Sequence, residues 1–295
     1  MNGPLDLATL RVIVAAAELG SISAASNRLQ LAVAAASARI TALEDALGLR
    51  VFERSSRGVR LTPAGQMLVR RGRELLADSD RLSVDLHDYA KGLQGHVRLV
   101  ANASAMLEML PAKLERMMCE HPLIRIDVTE YGSLDIPLLL LEGRADVGIV
   151  DITHAPHGIR LSNCFSDTLV LVVPVGHRLA GAGPIAFADT LDEDYVTLHD
   201  ATALSTRLSS SASMVRRTLK VRMQMHSFDA VCRMVAGGLG IAVLPLEAVM
   251  PQLTCLPLVT VALTDSWVAR THRIALREEA QPSPATLTLI ECLVR

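Results

Sequence analysis

The sequence predicts an α/β multidomain protein with short helices first, then one long helix, then a larger region of alternating strands and helices. Three observations support this organisation. The chain has 295 residues, a length that suits about two domains. Apolar residues recur at helical spacing in the N-terminal third, whereas short apolar runs alternate with amphipathic segments from about residue 96. Between these regions, leucines recur at heptad spacing.

The composition excludes several classes of protein. The chain contains four Phe, three Tyr and one Trp, too few aromatic residues for a single-strand nucleic-acid binder built on base stacking. No apolar run approaches the ~20 residues of a membrane span, and the first residues do not resemble a signal peptide. The five cysteines show no CxxC spacing, so neither disulfides nor a zinc site is indicated. We therefore expect a cytoplasmic protein without metal, cofactor or membrane contact.

Positive charge is concentrated at the N terminus. Residues 1–73 contain ten Arg against five Asp and Glu, a net charge of +5, and the whole chain carries −2, so residues 74–295 carry −7. Between Arg50 and Arg73 there are seven Arg and one acid. Such a block on an otherwise acidic protein indicates a polyanionic partner. A solvated arginine-rich face is the alternative, and charge alone favours neither.

The first helices are short and well delimited. Asp6 is a good N-cap for a helix that Gly20 ends, and Ser23 is predicted to cap a second helix over Ala24–Leu29. After a tight connection, a third helix follows and ends at Gly48. One face of this third helix is apolar, comprising Val33, Ala36, Ile40, Leu43 and Leu47.

A predicted β-hairpin follows the third helix. Val51–Arg54 and Val59–Leu61 flank a turn over Ser55–Gly58. Helix, helix, turn, helix and hairpin is the order of a winged helix-turn-helix. In that motif the third helix enters the major groove of DNA and the hairpin forms the wing.

Three stretches of this region resemble a known family. They are Gly20–Ala25, Ile40–Gly48 and Phe52–Gly65, which ends in Arg-Gly-Val-Arg-Leu-Thr-Pro-Ala-Gly. In this order and without gaps, they resemble the N-terminal signature of LysR-type transcriptional regulators. The resemblance implies a DNA-binding winged helix-turn-helix, a dimerising helix and an effector-binding domain similar to the periplasmic-binding-protein fold.

Candidate DNA contacts come from the third helix and the wing. Ser37 and Thr41 lie on the face opposite the apolar stripe and suit base edges or phosphates. The family pattern opens this helix with Ser-Gln-Pro and places Arg after the Ser equivalent to Ser37, where this chain has Ala32, Val33, Ala34 and Ala38. This departure removes a helix cap and polar base readers, so base contacts carry over only to Ser37 and Thr41. The full set of expected DNA-binding residues is Ser23, Ser37, Arg39, Thr41, Arg54, Arg57 and Arg60.

The long helix is predicted from Thr62-Pro63 to residue 91. Its heptad seam contains Leu68, Leu75, Leu82 and Tyr89 at one position and Gly72, Ser79, Leu86 and Leu93 at the other. We expect a homodimer contact through Leu68, Leu75, Leu82, Leu86 and Tyr89, with gaps at Gly72 and Ser79 where a partner backbone approaches. Packing against its own chain is the alternative.

The C-terminal region is predicted to be an α/β domain with mostly parallel sheets. Strands are predicted at Val97–Ala101, Ile124–Tyr131, Ala145–Val150, Thr168–Pro174, Tyr195–Leu198, Val221–His226, Ile241–Pro245 and Trp267–Leu276. Helices are predicted at Ser104–Glu120, Leu134–Glu142, Ala203–Leu208, Phe228–Ala236 and Pro284–Val294. The final strand and helix suit a two-lobed domain whose first lobe is completed by the returning chain. The expected domains are 1–62, 63–91 and 92–295, with lobe I over 92–162 and 267–295 and lobe II over 163–266.

Polar residues at strand ends form the candidate ligand site. In open α/β sheets small molecules bind at the carboxyl ends of strands, where helix N-termini present free N–H groups. Ser104 and Thr202 are the best candidates to hold a carboxylate, whereas Asp151 in the same cleft would repel an acid, so the charge of the ligand stays open. The expected effector-binding residues are Asn102, Ser104, Ser133, Asp151, Thr202 and Phe228.

Two other functions compete with the regulator interpretation. An α/β enzyme would need a nucleophile or an acid–base pair, and no such constellation stands out; Ser209–Ser211 lacks the GxSxG elbow. A secreted solute-binding protein would need an export signal and has no use for residues 1–62. The expected partners are therefore promoter DNA, a small organic effector and RNA polymerase, with self-association as a homodimer. The family resemblance adds a homotetramer.

Overall fold

The computed structural model describes residues 5–55, 58–90, 95–199 and 202–295. The chain divides into two compact units, one of Met1–Lys91 with Leu141–Arg144 and one of Gly92–Leu140 with Ala145–Arg295. Among the described residues, no helix is both long and apolar enough to cross a membrane.

The first unit is a winged helix-turn-helix followed by one long helix. Its core contains Ile13, Ile40 and Leu43, and Phe52 of the hairpin completes it. The hairpin strands are antiparallel, with Phe52 opposite Leu61. The elements are α1 (Leu7–Leu19), α2 (Ile22–Arg28), α3 (Val33–Leu47), β1 (Phe52–Ser55), β2 (Gly58–Leu61) and α4 (Pro63–Ala90).

The start of α2 differs from the sequence prediction. Ser21, not Ser23, is the N-cap: its backbone is extended and its hydroxyl accepts a hydrogen bond from the Ala24 N–H at 3.2 Å. Ser23 therefore lies inside the first turn of α2. The predicted boundaries of α1 hold, with Asp6 accepting from the Thr9 N–H at 2.6 Å and Gly20 in the left-handed region with φ 62°.

The apolar face of α3 is shorter than predicted. Ala36, Ile40 and Leu43 are fully buried, but Val33 and Leu47 at the helix ends are exposed. Ala32 at the N-cap position makes no side-chain capping bond. This result agrees with the loss of a cap that the sequence indicates at this helix start.

The second unit contains two hydrophobic cores. The first core is built from Val97–Ala101, Leu110–Met117, Val147–Ile149 and the C-terminal helix, and the second surrounds Leu169–Val173 and the helices that follow it. The elements up to the long strand are β3 (Gly95–Ala101), α5 (Ala103–Glu108), α6 (Leu110–Glu120), β4 (Ile124–Glu130), α7 (Ile136–Leu141), β5 (Val147–Val150) and β6 (Ile159–Pro174). The remaining elements are β7 (Asp194–Leu198), α8 (Ala203–Met214), β8 (Lys220–Met225), α9 (Phe228–Ala236), β9 (Ala242–Pro245), α10 (Leu246–Leu253), β10 (Leu258–Ala262), β11 (Ala269–Arg277) and α11 (Pro284–Val294).

The expectation of mostly parallel sheets is wrong in part. Strand β3 pairs in parallel with β4 and β5, and β7 pairs in parallel with β8. The long strand β6 is instead antiparallel to β9, β10 and β11, and β11 is antiparallel to β5. The two antiparallel pairs of β11 arise because this strand returns the end of the chain to the first core, where it fits between β5 and β6.

Several element boundaries also differ from the prediction. The helix predicted over Ser104–Glu120 is broken at Met109 into α5 and α6, because the ring of Pro111 cannot continue the preceding helix. Helix α8 runs on to Met214 instead of ending at Leu208. The first half of β6, together with α10 and β10, has no counterpart in the prediction.

Candidate functional site

The outward surface of α3 is lined mainly by small side chains. Ala34 and Ala38 are exposed, and Ser37 and Thr41 are half-buried beside them. Arg39 is exposed and its guanidinium lies 3.4 Å from the carboxylate of Asp6. Ser37 and Thr41, four residues apart, therefore share one face of α3, whereas Arg39, two residues from each, lies on another.

The wing carries the other predicted DNA contacts except Ser23, which belongs to α2. Arg60 is exposed on β2, directly opposite Glu53 of β1. Arg54 belongs to β1, but its side chain lies outside what the structure describes, and Arg57 falls outside the described residues altogether. Ser23 is exposed on α2.

Glu44 is a buried acid that connects α3 to the wing, and the sequence interpretation missed it. Its carboxylate accepts hydrogen bonds from the Val51 N–H at 2.8 Å and the Phe52 N–H at 3.2 Å, and Arg50 lies 2.9 Å away. Burial raises the pKa of Glu44, but these hydrogen bonds and the Arg50 charge outweigh burial and hold the pKa below its usual value. The carboxylate thereby fixes the first strand of the hairpin on the last turn of α3.

The heptad seam of α4 splits into two parts. Leu68 packs against the core of its own unit, and a Cβ at Gly72 would meet the Leu10 side chain at 3.1 Å. Gly72 therefore packs against α1, and the prediction that it leaves a gap for a partner backbone is wrong. Leu75, Leu82 and Leu86 are 52%, 60% and 61% exposed, respectively. The side chain of Tyr89 lies outside what the structure describes, as does all of Leu93.

All six predicted effector-binding residues line one cavity of about 310 Å³ in the second unit. Ser133 and Asp151 follow strands β4 and β5, Phe228 begins α9, and Thr202 caps α8 by accepting from the Ser205 N–H at 3.1 Å. The cap of α5 is Asn102, whose side-chain oxygen accepts from the Ala105 N–H at 2.9 Å. Arg270 of β11 also lines the cavity and was not predicted.

A chain of alternating charges includes two side chains of the cavity wall, Asp151 and Arg270. Arg207 of α8 lies 2.6 Å from one oxygen of Asp151, and Arg270 lies 3.4 Å from the other. Arg270, only 4% exposed, also donates two hydrogen bonds to Asp167 and one to the Ser104 hydroxyl at 3.0 Å. Asp151 is therefore a paired carboxylate, so the repulsion of an acid that the sequence suggests is largely offset.

His272 joins the same network from the core side. Its Nε2 lies 3.1 Å from the Asp167 carboxylate, and its Nδ1 lies 3.2 Å from the side-chain nitrogen of Asn102. Because an amide nitrogen only donates, Nδ1 of His272 accepts a hydrogen bond from Asn102. The ring proton is then on Nε2, which donates a hydrogen bond to the Asp167 carboxylate. Burial raises the pKa of Asp167, but the hydrogen bonds from His272 and Arg270 hold it below its usual value.

Glu108 at the end of α5 also belongs to this network, and the sequence interpretation missed it. Burial, followed by the nearby charge of Asp167, raises its pKa from 4.5 to about 8. One of its carboxyl oxygens is buried without a hydrogen-bond partner among the described residues. The raised pKa favours the neutral form of Glu108, so that the carboxylates of Asp151 and Asp167 face the guanidiniums of Arg207 and Arg270.

The stability of the protein is expected to fall as pH rises from about 4.5 to about 8, and Glu108→Gln should weaken this dependence. In this range the folded state keeps the Glu108 proton and the unfolded state loses it, so the free energy of unfolding decreases with pH. Thermal melts across the range test the prediction, with Glu115→Gln on the exposed side of α6 as the control. Equal pH slopes for wild type and Glu108→Gln would contradict it.

Comparison with known proteins agrees with both units. The family model for the LysR substrate binding domain matches residues 90–295, and the model for the bacterial regulatory helix-turn-helix protein of the lysR family matches residues 7–66. The probable HTH-type transcriptional regulator LrrA of Synechococcus elongatus is 27% identical over 248 residues, which cover 84% of this chain and 83% of LrrA. MetR of Haemophilus influenzae, an HTH-type transcriptional regulator, is 28% identical over 254 residues, 84% of this chain and 80% of MetR.

A solved structure shows the same fold over the whole chain. Full-length CbnR complexed with its target DNA matches with a TM-score of 0.66 at 18% identity, covering 98% of this chain and 99% of CbnR. LrrA and MetR are both named for the regulation of transcription, which supports the regulator interpretation over the enzyme alternative. Since the two family models together account for nearly the whole sequence, the chain belongs to the LysR family of transcriptional regulators.

Proposed function

We propose that this regulator binds promoter DNA through α3 and the wing, and that a small organic effector in the cavity between two lobes controls its activity. DNA binding is assigned to residues 1–62, dimerisation to 63–91 and effector binding to 92–295. Lobe I comprises 92–162 and 267–295, and lobe II comprises 163–266. A protein that acts on promoters works beside the chromosome in the bacterial cytoplasm and contacts RNA polymerase there.

The observation that carries the effector proposal is the convergence of six residues, from five separate places in the sequence, on one cavity. Apolar side chains such as Leu198, Leu204 and Phe228 line part of the wall. Hydroxyl, amide and guanidinium groups and the carboxylates of Glu130 and Asp151 line the rest. A mostly apolar pocket with a few placed polar groups is the usual form of a small-molecule site.

A carboxylate is the effector group that this cavity favours. The N-terminus of α8, residues Thr202, Ala203 and Leu204, lines the cavity, and a helix N-terminus favours a negative charge. Arg270 adds a buried cation, and the charge of Asp151 is shared by two guanidiniums. The proposed effector is therefore a small organic anion.

A thermal-shift screen divided into acids, neutral compounds and amines tests this effector class. An acid that raises the Tm of the wild type should raise it less in Thr202→Val, which lacks the hydroxyl at the cavity. Ser283→Ala removes an equivalent helix cap on α11, which does not line the cavity, and should respond like wild type. Stabilisation by amines alone would contradict the assignment of an anion.

DNA affinity is expected to fall by orders of magnitude between ~50 and ~200 mM salt, because arginines of the wing neutralise phosphates and release counterions. Arg54→Ala, Arg57→Ala and Arg60→Ala should each weaken binding to specific and random duplexes alike. Each should also lower the slope of log affinity against log salt by roughly one for every phosphate that is no longer neutralised.

Fluorescence anisotropy over a salt series measures both effects of the wing variants. Arg222→Ala, which removes an exposed arginine of β8 in the second unit, is the matched control and should bind as wild type does. Salt-independent affinity, or unchanged affinity in all three wing variants, would refute the assignment of phosphate contacts.

We further propose a homodimer through α4 and a dimer of dimers. The support is the row of exposed leucines at 75, 82 and 86, because exposed leucines at heptad spacing on one helix are typical of a helix pair. A dimer also presents two α3 helices to one duplex, as two half-sites require.

A further inference from the structure

A second cavity lies beside the proposed effector cavity and shares a wall with it. Its volume is about 440 Å³. Ser133, Asp151 and Ala203 line both cavities and form the shared wall. Arg207 lines the second cavity but not the first.

Arg207 is the terminal member of the charge chain, and this position leaves part of its guanidinium unused. Asp151 contacts two arginines, and Arg270 contacts two carboxylates and a hydroxyl. Arg207 has a single carboxylate partner, Asp151. Its Nε is buried without a hydrogen-bond partner among the described residues. The Nε–H itself is out of reach of a ligand, but its missing partner shows that Asp151 alone does not saturate the hydrogen-bonding capacity of this guanidinium.

The charge at the Arg207 end of this network is positive. The carboxylate of Asp151 is shared with Arg270, so it neutralises Arg207 only in part. A cation has no free carboxylate to bind here, because both oxygens of Asp151 face guanidiniums. An anion, by contrast, meets the guanidinium of Arg207, which lines the cavity.

The other residues that line the second cavity indicate that the uncharged part of the ligand is apolar. Leu134, Pro137, Ile152 and Pro156 give the second cavity an apolar wall. We propose that this cavity is a second binding site, for a small carboxylate with a compact apolar body whose carboxylate pairs with Arg207. The site does not depend on occupation of the first cavity, so it stands apart from the effector proposal.

Methyl NMR of the full-length chain can locate such a ligand. The methyls of Leu134 and Ile152 line only the second cavity, and those of Leu198 and Leu204 line only the first. The probe is cyclohexanecarboxylate, with cyclohexanecarboxamide as its neutral counterpart. We expect the acid to shift the Leu134 and Ile152 methyls in a saturable manner, and the amide to bind at least tenfold more weakly.

Two substitutions with opposite expected effects separate the site from a general loss of structure. Arg207→Gln should weaken the acid at least tenfold, whereas Asp151→Asn, which removes the competing carboxylate, should tighten it. A distortion of the fold would weaken binding in both variants. Ser283→Ala, which removes a helix cap on α11 and lines neither cavity, should leave the Leu134 and Ile152 titration unchanged.

Three results would overturn the second site. They are an absence of saturable shifts at Leu134 and Ile152, shifts confined to Leu198 and Leu204, and equal binding of the acid by wild type and Arg207→Gln. The second of these would still support the proposed effector cavity, so the two proposals fail separately.

Discussion

Replacing Leu75 and Leu82 of α4 by Asp is expected to dissociate the protein into monomers and to abolish tight DNA binding. Both side chains are more than half exposed in a single chain, so an aspartate there hardly disturbs the monomer. In a dimer each buried leucine contributes roughly 1.5–3 kcal/mol, and a buried unpaired carboxylate adds a further cost. A monomer presents only one α3 helix to an operator that has two half-sites. Most of the affinity for DNA should therefore be lost when the dimer dissociates.

Mass in solution by light scattering and DNA affinity by anisotropy measure the two consequences. Ser83→Asp adds a charge at an exposed position of α4 outside the seam and should leave assembly unchanged. A wild type that is already monomeric at micromolar concentration would contradict the dimer. So would a double variant that keeps both its assembly and its DNA affinity.

Arg270→Met is expected to destabilise the second unit by about 3–5 kcal/mol, because it leaves Asp151 and Asp167 buried without their shared cation. At roughly 2–4 °C per kcal/mol for a domain of this size, Tm should fall by about 6–20 °C. Arg222→Met removes an exposed pair with Asp194 and should cost no more than about 1 kcal/mol.

A double variant tests whether unpaired carboxylates cause the loss of stability in Arg270→Met. Arg270→Met combined with Asp167→Asn should recover part of the missing stability, because one of the two unpaired charges is then gone. Thermal and urea denaturation provide the measurements. An Arg270→Met protein within about 1 kcal/mol of wild type would show that the carboxylates are stabilised by other groups.

Local signals in the sequence predict much of the fold. Helices α9 and α11 begin and end where predicted, because Ser227 and Ser283 cap them by accepting from backbone N–H groups and their apolar faces recur at helical spacing. The first half of β6 escaped prediction because its outward residues are polar and it lacks an apolar run. Helix α10 begins at Leu246 directly after β9, with no capping side chain at Pro245, so its start carries no sequence signal.

The candidate site likewise contains residues that the sequence predicts and residues that it does not. Strand ends followed by small polar residues pointed to Asn102, Ser104 and Thr202, because each lies at a strand–helix junction. Asp167 and Arg270 are 103 positions apart, and each looks like an ordinary surface charge in the sequence. Only the fold brings these two side chains together, so no pattern in the chain could have indicated that ion pair.

The 16-residue strand β6 has a consequence for how the second unit unfolds. Its first part, Ile159–Thr168, pairs with β11, and its last part pairs with β9 and β10. The same backbone segment thus supplies hydrogen bonds to the sheets of both hydrophobic cores. Neither core can melt without withdrawing a strand from the other, so calorimetry of the second unit should record a single cooperative transition, and any opening between the cores must proceed by twisting intact strands.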